Sequence, residues 1–276
     1  MIKENRFKSS DWALILGASS GFGGATAVEL AKRGMNIFGV HLDRQATMPA
    51  VQQIMREIKH AGTKAIFYNI NAADGIKRSE TLDDIGEQFI NEPNSTVKVL
   101  LHSLAFGTLK SFISKKSADE ITQAQMEMTS DVMAHSLVYW VQGLMSRNLM
   151  KYGARIFALT SSGGHSVLPM YGAISAAKAA LESHIRQLAM ELGSVGITAN
   201  AILAGVTDTP ALRKIPGAIS MLQIAKAKNP QNRITTPEDV ARAIALLAQE
   251  ESYFISGNVI GVDGGEDKIG FFHPKH

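Results

Sequence analysis

Seven short apolar runs, separated by segments of helical length, are the feature of this 276-residue sequence that most limits its fold. The runs are mostly unbroken rather than alternating with polar residues, as in strands buried on both faces of a parallel sheet. Between them lie amphipathic helical patterns, several of which end at glycine, a common helix stop. The runs lie at residues 12–17, 36–42, 64–70, 97–104, 154–161, 197–203 and 257–265.

Strict alternation of strands and helices predicts an α/β fold: a single-domain, Rossmann-like, doubly wound parallel sheet of about seven strands with helices on both faces. No linker divides the chain, so residues 1–276 are expected to form one domain. Residues from about 206 to 234 interrupt the alternation between the sixth strand and the last helix. An insertion near the carboxyl ends of the strands is predicted to be a substrate-binding lid.

Composition excludes several classes of protein. The net charge of +3 is dispersed, without the basic stripe and interleaved aromatic residues of a nucleic-acid module, and mildly favours anionic cofactors and acidic carriers. Without cysteine there are no disulfides, thiolate metal sites or cysteine nucleophiles, and the histidines lack metal-ligand spacing, so no metal is expected. The N-terminal apolar run is too short for a signal sequence or a membrane span, which predicts a cytoplasmic protein without membrane association.

A glycine-rich stretch, "GASSGFGG", joins the first predicted strand to the first predicted helix. There Gly17 permits a tight turn, Gly21 lets backbone amides approach a pyrophosphate, and Gly23 allows the helix to pack closely on the sheet. The positive end of the helix dipole favours the anion. Glycines also mark ordinary turns, but the place of this triplet at the first strand-to-helix junction predicts a dinucleotide-binding loop.

The spacing Gly-x3-Gly-x-Gly resembles that of the short-chain dehydrogenase/reductase family, and the resemblance extends over almost the whole chain. It implies that Asn71 and the Ala72 backbone contact the adenine after the third strand. The fourth strand ends in "HSLAFG", which is similar to the enoyl-acyl-carrier-protein reductase branch of the family. Further cofactor contacts implied by the resemblance come from Ser19, Ser20, Phe22, Ser103, Leu104 and Ala105.

The choice between NADH and NADPH is normally decided after the second strand, where an acidic side chain bonds the ribose diol and a basic one meets a 2′-phosphate. His41 takes the place closest to the ribose when counted from Gly34, and Asp43 and Arg44 follow it. His41 with Arg44 favours NADPH as the cofactor, and Asp43 keeps NADH as the alternative. In a third interpretation all three are solvated loop residues.

The stretch "YGAISAAK", residues 171–178, carries the candidate catalytic pair. In the broad family a serine lies seventeen positions and a tyrosine four positions before the lysine; here Ser161 matches, but the four-position place is Ile174 and the available tyrosine is Tyr171. Seven residues make nearly two helical turns, so Tyr171 and Lys178 are expected on one helix face. Lys178 is expected to bind the nicotinamide ribose and, through its charge, to lower the pKa of the Tyr171 phenol.

A tyrosine displaced by one helical turn fits a different substrate. Reduction of a ketone needs a proton on the oxygen of the carbon that receives the hydride, whereas reduction of an enoyl thioester places charge on the thioester oxygen, two carbons farther on. Tyr171 therefore suits an enolate, and the spacing Tyr-x6-Lys is similar to that of enoyl-acyl-carrier-protein reductases. This resemblance implies an NAD(P)H-dependent enoyl-acyl-carrier-protein or enoyl-CoA reductase of fatty acid synthesis. One departure is Ser161, where many members carry a second tyrosine.

Two other functions stay open. A carbonyl reductase for 3-oxoacyl, steroid or small ketone substrates would share the fold, and the absence of tyrosine at position 174 counts against it. A non-catalytic NADPH-binding regulator would have no need of Ser161, Tyr171 and Lys178 together.

After the sixth strand the sequence reads "AGVTDTPAL". The resemblance implies that the backbone at Gly205 and Val206 anchors the carboxamide and that Thr209 contacts carboxamide or phosphate, although the family's usual proline is here Val206. Thr209 could equally cap a helix that begins near Pro210. An apolar surface for an acyl chain, which could equally be only the core face of a lid helix, is predicted at Phe106, Tyr171, Ala211, Leu212, Ile215 and Met221.

The expected partners are a small acyl thioester and an acidic acyl carrier protein. Lys214, Lys226 and Lys228 could meet such a carrier, although isolated surface lysines are usually only solvated. The resemblance also implies a homotetramer, with the apolar "IGFF" at residues 269–272 at an interface.

Overall fold

The computed structural model of the protein describes residues 7–92 and 94–270. Strands and helices alternate along the chain. The strands are β1 (Asp11–Leu16), β2 (Asn36–His41), β3 (Ala65–Asn69), β4 (Thr96–His102), β5 (Arg155–Thr160), β6 (Thr198–Ala204) and β7 (Val259–Val262). The helices are α1 (Gly21–Lys32), α2 (Met48–His60), α3 (Gly75–Ile90), α4 (Gln123–Ser130), α5 (Ser136–Ser146), α6 (Gly172–Leu192), α7 (Ala218–Lys228) and α8 (Pro237–Leu247).

All seven strands form one parallel sheet in the order β3-β2-β1-β4-β5-β6-β7, which confirms the predicted doubly wound α/β fold. The chain order reverses between β1 and β4, where Leu16 pairs with His102. Neighbouring loops diverge at such a switch point and leave a crevice beyond the carboxyl ends of the strands. The loops that follow β1 and β4 therefore begin side by side at this crevice.

The sheet separates two apolar cores because successive side chains of a strand point to opposite faces. In β1, Trp12, Leu14 and Leu16 face one core, whereas Ala13 and Ile15 face the other. The first core packs against α5 and α6, and the second packs against α1 and α8. This burial on both faces explains why the strands appear in the sequence as unbroken apolar runs.

Helices α4 and α5 are joined without a break by a π-helical turn at Asp131–His135. At its end the Ser136 hydroxyl donates to the Val132 carbonyl (2.9 Å). A π-helical turn inside an α-helix carries one additional residue and is frequent at functional sites. It brings Met133 to the wall of the cavity described below.

The segment predicted to be a lid, about 206–234, contains a short 3₁₀ turn at Leu212–Lys214 and helix α7. It follows β6 directly and so lies at the carboxyl end of the sheet. Of the predicted "IGFF" interface, Phe271 and Phe272 lie outside the described residues. Within residues 7–92 and 94–270, no helix has the length and apolar content to cross a membrane.

Candidate active site

The loop between β1 and α1 has the backbone that its glycines predict. Gly17 has a φ of +91° and Gly21 a φ of +52°, both in the left-handed region that favours glycine. A Cβ on Gly17 would lie 2.6 Å from the carbonyl oxygen of Ser103, and a Cβ on Gly23 would collide with the carbonyl of Gly17. Helix α1 begins directly after this close-packed loop. Its N-cap residue is Ser20, whose side chain makes no capping hydrogen bond. A backbone cradle at a helix N-terminus fits the pyrophosphate of a dinucleotide.

The end of β2 differs from the sequence-based expectation. The imidazole of His41 is buried, and its Nδ1 lies 3.0 Å from the Asp43 carboxylate. Burial alone would raise the pKa of Asp43, but the nearby hydroxyls of Thr47 and Ser19 and the His41 imidazole together lower it. The prediction that the His41 side chain contacts a ribose phosphate is therefore wrong, because that side chain is buried and bonded to Asp43. Asp43, beside Ser19 of the glycine-rich loop, is the ionised group at this place.

The predicted adenine contacts follow β3. Asn71 is exposed, and its side-chain oxygen accepts from the Ala73 amide (3.0 Å). The carbonyl of buried Ala72 accepts from the Trp140 indole (2.9 Å), which ties this loop to α5. Arg44, the other residue predicted near the ribose, is exposed. Asn71 and Arg44 thus stay accessible to a nucleotide.

A cavity of about 250 Å³ opens at the carboxyl ends of β4, β5 and β6. It brings together most of the residues predicted for the nicotinamide and the substrate: Phe22, Ser103, Leu104, Ala105, Phe106, Ser161, Tyr171, Lys178, Gly205, Val206, Thr209, Ala211, Leu212, Ile215 and Met221. The other predicted cofactor residues lie outside it, toward the expected nucleotide end: Gly17, Ser19, Ser20, Gly21, Gly23, His41, Arg44, Asn71 and Ala72.

Tyr171 lies immediately before α6, and its carbonyl accepts the first helical hydrogen bond, from Ser175 (2.8 Å). The preceding Met170 has a φ of +60°, an unusual conformation for a residue other than glycine and one that concentrates at functional sites. The Tyr171 ring rests on Gly163, where a Cβ would lie 2.5 Å from Cε1 of the ring. The backbone before α6 and the bare Gly163 together fix where the phenol points.

The Ser161 hydroxyl is buried beside Tyr171 and makes no hydrogen bond of regular geometry among the described residues. A buried hydroxyl without such a bond is costly unless a ligand satisfies it, and this one lies in the cavity wall. Burial raises the pKa of Tyr171, against a smaller opposite effect of the Ser161 hydroxyl. The phenol is therefore neutral at physiological pH, a hydrogen-bond donor.

Lys178 is buried on α6, where its Nζ donates to the carbonyl of Leu159 (2.6 Å). Burial lowers the pKa of Lys178 to about 8, although the negative charge of Glu182 acts in the opposite direction. Glu182 itself accepts from the Thr160 hydroxyl (2.6 Å). The expected lowering of the Tyr171 pKa is wrong, because burial of the phenol dominates and raises this pKa.

The segment from Gly205 to Thr209 forms one wall of the cavity. The Val206 N–H, expected at the carboxamide, donates instead to the Glu266 carboxylate (3.3 Å). Thr209 Oγ1 accepts from the Leu212 amide (3.2 Å), at the first residue of the 3₁₀ turn, although the N-cap residue of that turn is Ala211. A Cβ on Gly21 would lie 3.5 Å from the Thr209 methyl, so this wall meets the glycine-rich loop.

Several cavity residues were not predicted from the sequence to line the site. Met133 reaches the wall from the π-helical turn, Leu109 from the loop after β4, and Ile174 from the first turn of α6.

His102 is fully buried and bonds Ser136 (2.9 Å), and burial and the Lys178 charge lower its pKa to about 3. This histidine is therefore neutral and belongs to the core. The described residues hold no cluster of three or more metal-ligating side chains.

Comparison with known proteins identifies the family. The family described as enoyl-(acyl carrier protein) reductase matches residues 17–266. An enoyl-[acyl-carrier-protein] reductase [NADH] of Synechocystis is 33% identical over 181 residues, 66% of this chain and 69% of that protein. A probable tetrahydroxynaphthalene reductase of Zymoseptoria tritici is 27% identical and covers 91% of this chain and 92% of its own.

Among solved structures, an enoyl-[acyl-carrier-protein] reductase (NADH) of Aquifex aeolicus superposes with a TM-score of 0.82 at 23% identity. The match covers 98% of this chain and all of that one, and it supports the fold. The glycine-rich cradle, the neutral tyrosine and the buried lysine fit a nicotinamide dinucleotide beside the orphaned Ser161 hydroxyl. The chain belongs to the short-chain dehydrogenase/reductase superfamily, and it is an oxidoreductase whose cofactor is NAD(P)H.

Proposed function

We propose that the protein is an NAD(P)H-dependent enoyl thioester reductase, which reduces the trans-2 double bond of acyl groups on an acyl carrier protein or coenzyme A in fatty acid synthesis. One observation carries the proposal: Tyr171, at the N-terminus of helix α6, lies seven residues before Lys178 of that helix, and buried Ile174 occupies the place of a carbonyl reductase's tyrosine. The phenol thus enters the cavity at the start of α6, one turn before Ile174.

Tyr171 acts on the oxygen of the substrate. A bound reduced nicotinamide supplies the hydride that goes to C3 of the enoyl group. As negative charge builds on the thioester oxygen, the neutral phenol of Tyr171 donates a hydrogen bond to it and can pass on a proton. The Ser161 hydroxyl, which makes no hydrogen bond of regular geometry in the described residues, is a second donor beside it.

Lys178 holds the cofactor side of the site. Its ammonium already donates to Leu159, and an ammonium has further hydrogens for the ribose hydroxyls of a nicotinamide nucleotide. With its pKa lowered to about 8 by burial, Lys178 keeps this donor capacity at neutral pH and loses it in alkaline solution. Its role is to position the nucleotide next to Tyr171.

The rest of the cavity excludes water and accommodates an apolar chain. Its lining includes apolar and flexible side chains: Phe106, Leu109, Met133, Leu168, Ile215 and Met221. Methionine adapts to varied shapes, and Phe106 is largely exposed at the opening. A low-polarity wall strengthens the hydrogen bond from Tyr171 to a developing oxyanion.

Between the two cofactors, we propose that NADH is preferred. The ionised Asp43 beside Ser19 would accept hydrogen bonds from a ribose diol and repel a 2′-phosphate. The sequence favoured NADPH through His41 and Arg44, but His41 is bonded to Asp43 and buried. Exposed Arg44 is the one residue of that pair still able to meet a phosphate.

The test is a side-by-side assay of NADH oxidation with crotonyl-CoA and with acetoacetyl-CoA. We expect crotonyl-CoA to be reduced and Tyr171→Phe to lower kcat by about 10²- to 10⁴-fold, the usual contribution of a positioned proton donor. Binding of NADH to Tyr171→Phe, followed by its fluorescence, should remain close to wild type. Unchanged turnover of crotonyl-CoA in that variant would exclude the proposed role of Tyr171.

A second candidate function is carbonyl reduction. It is favoured by relatives that cover more than nine-tenths of the chain, such as the tetrahydroxynaphthalene reductase and a versicolorin reductase of Emericella nidulans that is 28% identical over 271 residues. Reduction of acetoacetyl-CoA, with no reduction of crotonyl-CoA, would assign the protein to this class. Buried Ile174 argues against it, because a ketone oxygen would need a donor at that turn of α6.

We also propose that residues 1–276 act as one domain in a cytoplasmic homotetramer. Exposed side chains along the edge strand β7 and the segment before it support a contact between copies: Tyr253, Phe254, Ile255 and Val259. Lys214 lines the cavity, which supports a contact between its ammonium and an acidic carrier protein. Light scattering of the purified protein measures the number of chains.

A further inference from the structure

The turn that follows β7 places a carboxylate against the back of the cavity wall. Glu266 is buried, and its Oε1 accepts the Val206 N–H at 3.3 Å. Its other oxygen, Oε2, has no hydrogen-bond partner in the described part of the chain. A buried carboxyl with a single hydrogen bond to the backbone lowers the stability of the fold. We therefore expect its contact with Val206 to serve a function.

The turn itself is held rigidly. Asp263 accepts from the amides of Gly265 (2.9 Å) and Asp267 (2.8 Å), and its carbonyl accepts from the Asn229 side chain (2.8 Å). These bonds fix Glu266 between them in the chain. The carboxylate is thus presented to Val206 by a backbone that is already braced.

The Val206 N–H needs this acceptor for a reason visible in the sequence. The related family usually has proline after the glycine, and proline has no N–H, whereas valine brings a donor into a closely packed place. Gly205 has no room for a side chain: a Cβ there would collide with the Thr235 hydroxyl and lie 3.0 Å from Glu266 Oε2. The half-buried Val206 N–H is satisfied within the protein, by the Glu266 carboxylate.

We propose that Glu266 is a positioning residue for the cofactor: by accepting the Val206 N–H, it sets the Gly205–Thr209 wall against which the nicotinamide end binds. Val206, Thr207 and Thr209 of this wall line the cavity, and Thr209 meets Gly21 of the phosphate loop. Displacement of Val206 would shift both contacts at once. The proposal rests on the NAD(P)H cofactor of the family and not on the enoyl substrate.

The charges around Glu266 agree with this role. Asp263 and Asp267 are acidic neighbours and Lys228 is a basic one. Burial has the largest effect on the Glu266 carboxyl and raises its pKa. The hydrogen bond from the Val206 N–H lowers this pKa, and the negative charge of Asp263 raises it by a smaller amount. An acceptor is needed here and a full negative charge is not, so a neutral amide carbonyl should serve equally well.

The experiment measures NADH and NADPH binding by fluorescence titration, without substrate, together with thermal unfolding. We expect Glu266→Leu to weaken binding about tenfold, the effect of one unmade hydrogen bond in a buried place, and Glu266→Gln to restore it to within about twofold. As a matched control, Asp267→Asn changes the same turn but leaves Val206 untouched, and should bind within about twofold of wild type. If Glu266→Leu does not fold, Glu266→Ala, which also removes the acceptor, takes its place in the same comparison.

A double-mutant cycle isolates the contact. In a Val206→Pro background the donor is gone, so Glu266→Leu should cause little further loss of cofactor affinity. Equal losses in Gln and Leu variants, a similar loss in Asp267→Asn, or an undiminished effect of Glu266→Leu in the Val206→Pro background would each overturn the proposal. None of these results depends on whether crotonyl-CoA is reduced, so the failure of the enoyl assignment would be recognised separately.

Discussion

A methyl group added at Gly163 would occupy space that the ring of Tyr171 already fills. In Gly163→Ala the new Cβ would lie 2.5 Å from Cε1 and 3.1 Å from Cδ1 of the ring, and 3.3 Å from Ser161 Oγ. Carbon atoms in ordinary contact are about 3.5–4.0 Å apart, so the ring or its loop must move by about 1 Å. The backbone itself imposes no strain, because Gly163 does not have a left-handed φ.

The expected consequence is a large loss of turnover with a modest loss of stability. Overpacking of this kind costs about 1–3 kcal/mol of unfolding free energy. A displacement of about 1 Å at a group that contacts the reacting oxygen lowers kcat by about 10²-fold. Cofactor affinity should change little, because Lys178 and the Gly205–Thr209 wall are not touched.

The assay compares kcat for crotonyl-CoA, the dissociation constant of NADH and the Tm for wild type and the variant. Gly164→Ala is the matched control: its Cβ would lie 3.2 Å from the flexible end of Glu182 and 3.5 Å from the Lys178 Cβ, so small adjustments accommodate it. A folded Gly163→Ala protein with the turnover of wild type would show that the position of the Tyr171 ring does not control the reaction.

Three further predictions concern charge. Lys178, with a pKa lowered by burial to about 8 against 10.5 for the exposed group, takes up a proton more readily in the unfolded chain. The unfolding free energy of the cofactor-free protein should therefore rise by about 3 kcal/mol between pH 8 and 10.5, and Lys178→Met should abolish the rise in urea titrations at several pH values. In the same range NADH binding should weaken as the ammonium is lost, and pH-independent binding would contradict its contact with the ribose. Asp43→Asn should lower the ratio of kcat/KM for NADH over NADPH by about tenfold, the worth of one charge-assisted hydrogen bond, and an unchanged ratio would assign the choice to other residues.

The fold was predictable because burial on both faces of a parallel sheet leaves a plain signal in the sequence. The first apolar run, 12–17, agrees with β1 to within one residue, but the last, 257–265, is much longer than β7. The strand ends before Asp263, whose carboxylate accepts the hydrogen bonds of the turn that holds Glu266. A hydrophobic pattern in the sequence does not reveal such a turn.

The candidate site was predictable where it is local and not where distant elements meet. Tyr171, Lys178 and Ser161 lie close together in the chain, and one helix and its preceding loop bring them to the cavity. Glu266 meets Val206 across 60 residues, and nothing in the sequence near either residue indicates the other. The pKa of a side chain also depends on how deeply it is buried in the folded protein. The direction of the pKa shift at Tyr171 could therefore not be predicted from the sequence.

The π-helical turn between α4 and α5 also determines where the chain can be shortened. Asp131–His135 holds one residue more than an α-helix needs. Deletion of one residue there would restore regular α-helix and leave the flanking faces aligned, including the Trp140 bond to Ala72. A deletion elsewhere in α4 or α5 would rotate everything beyond it by about 100°. A scan of single-residue deletions along these helices should therefore yield folded protein at this turn and aggregated protein on either side of it.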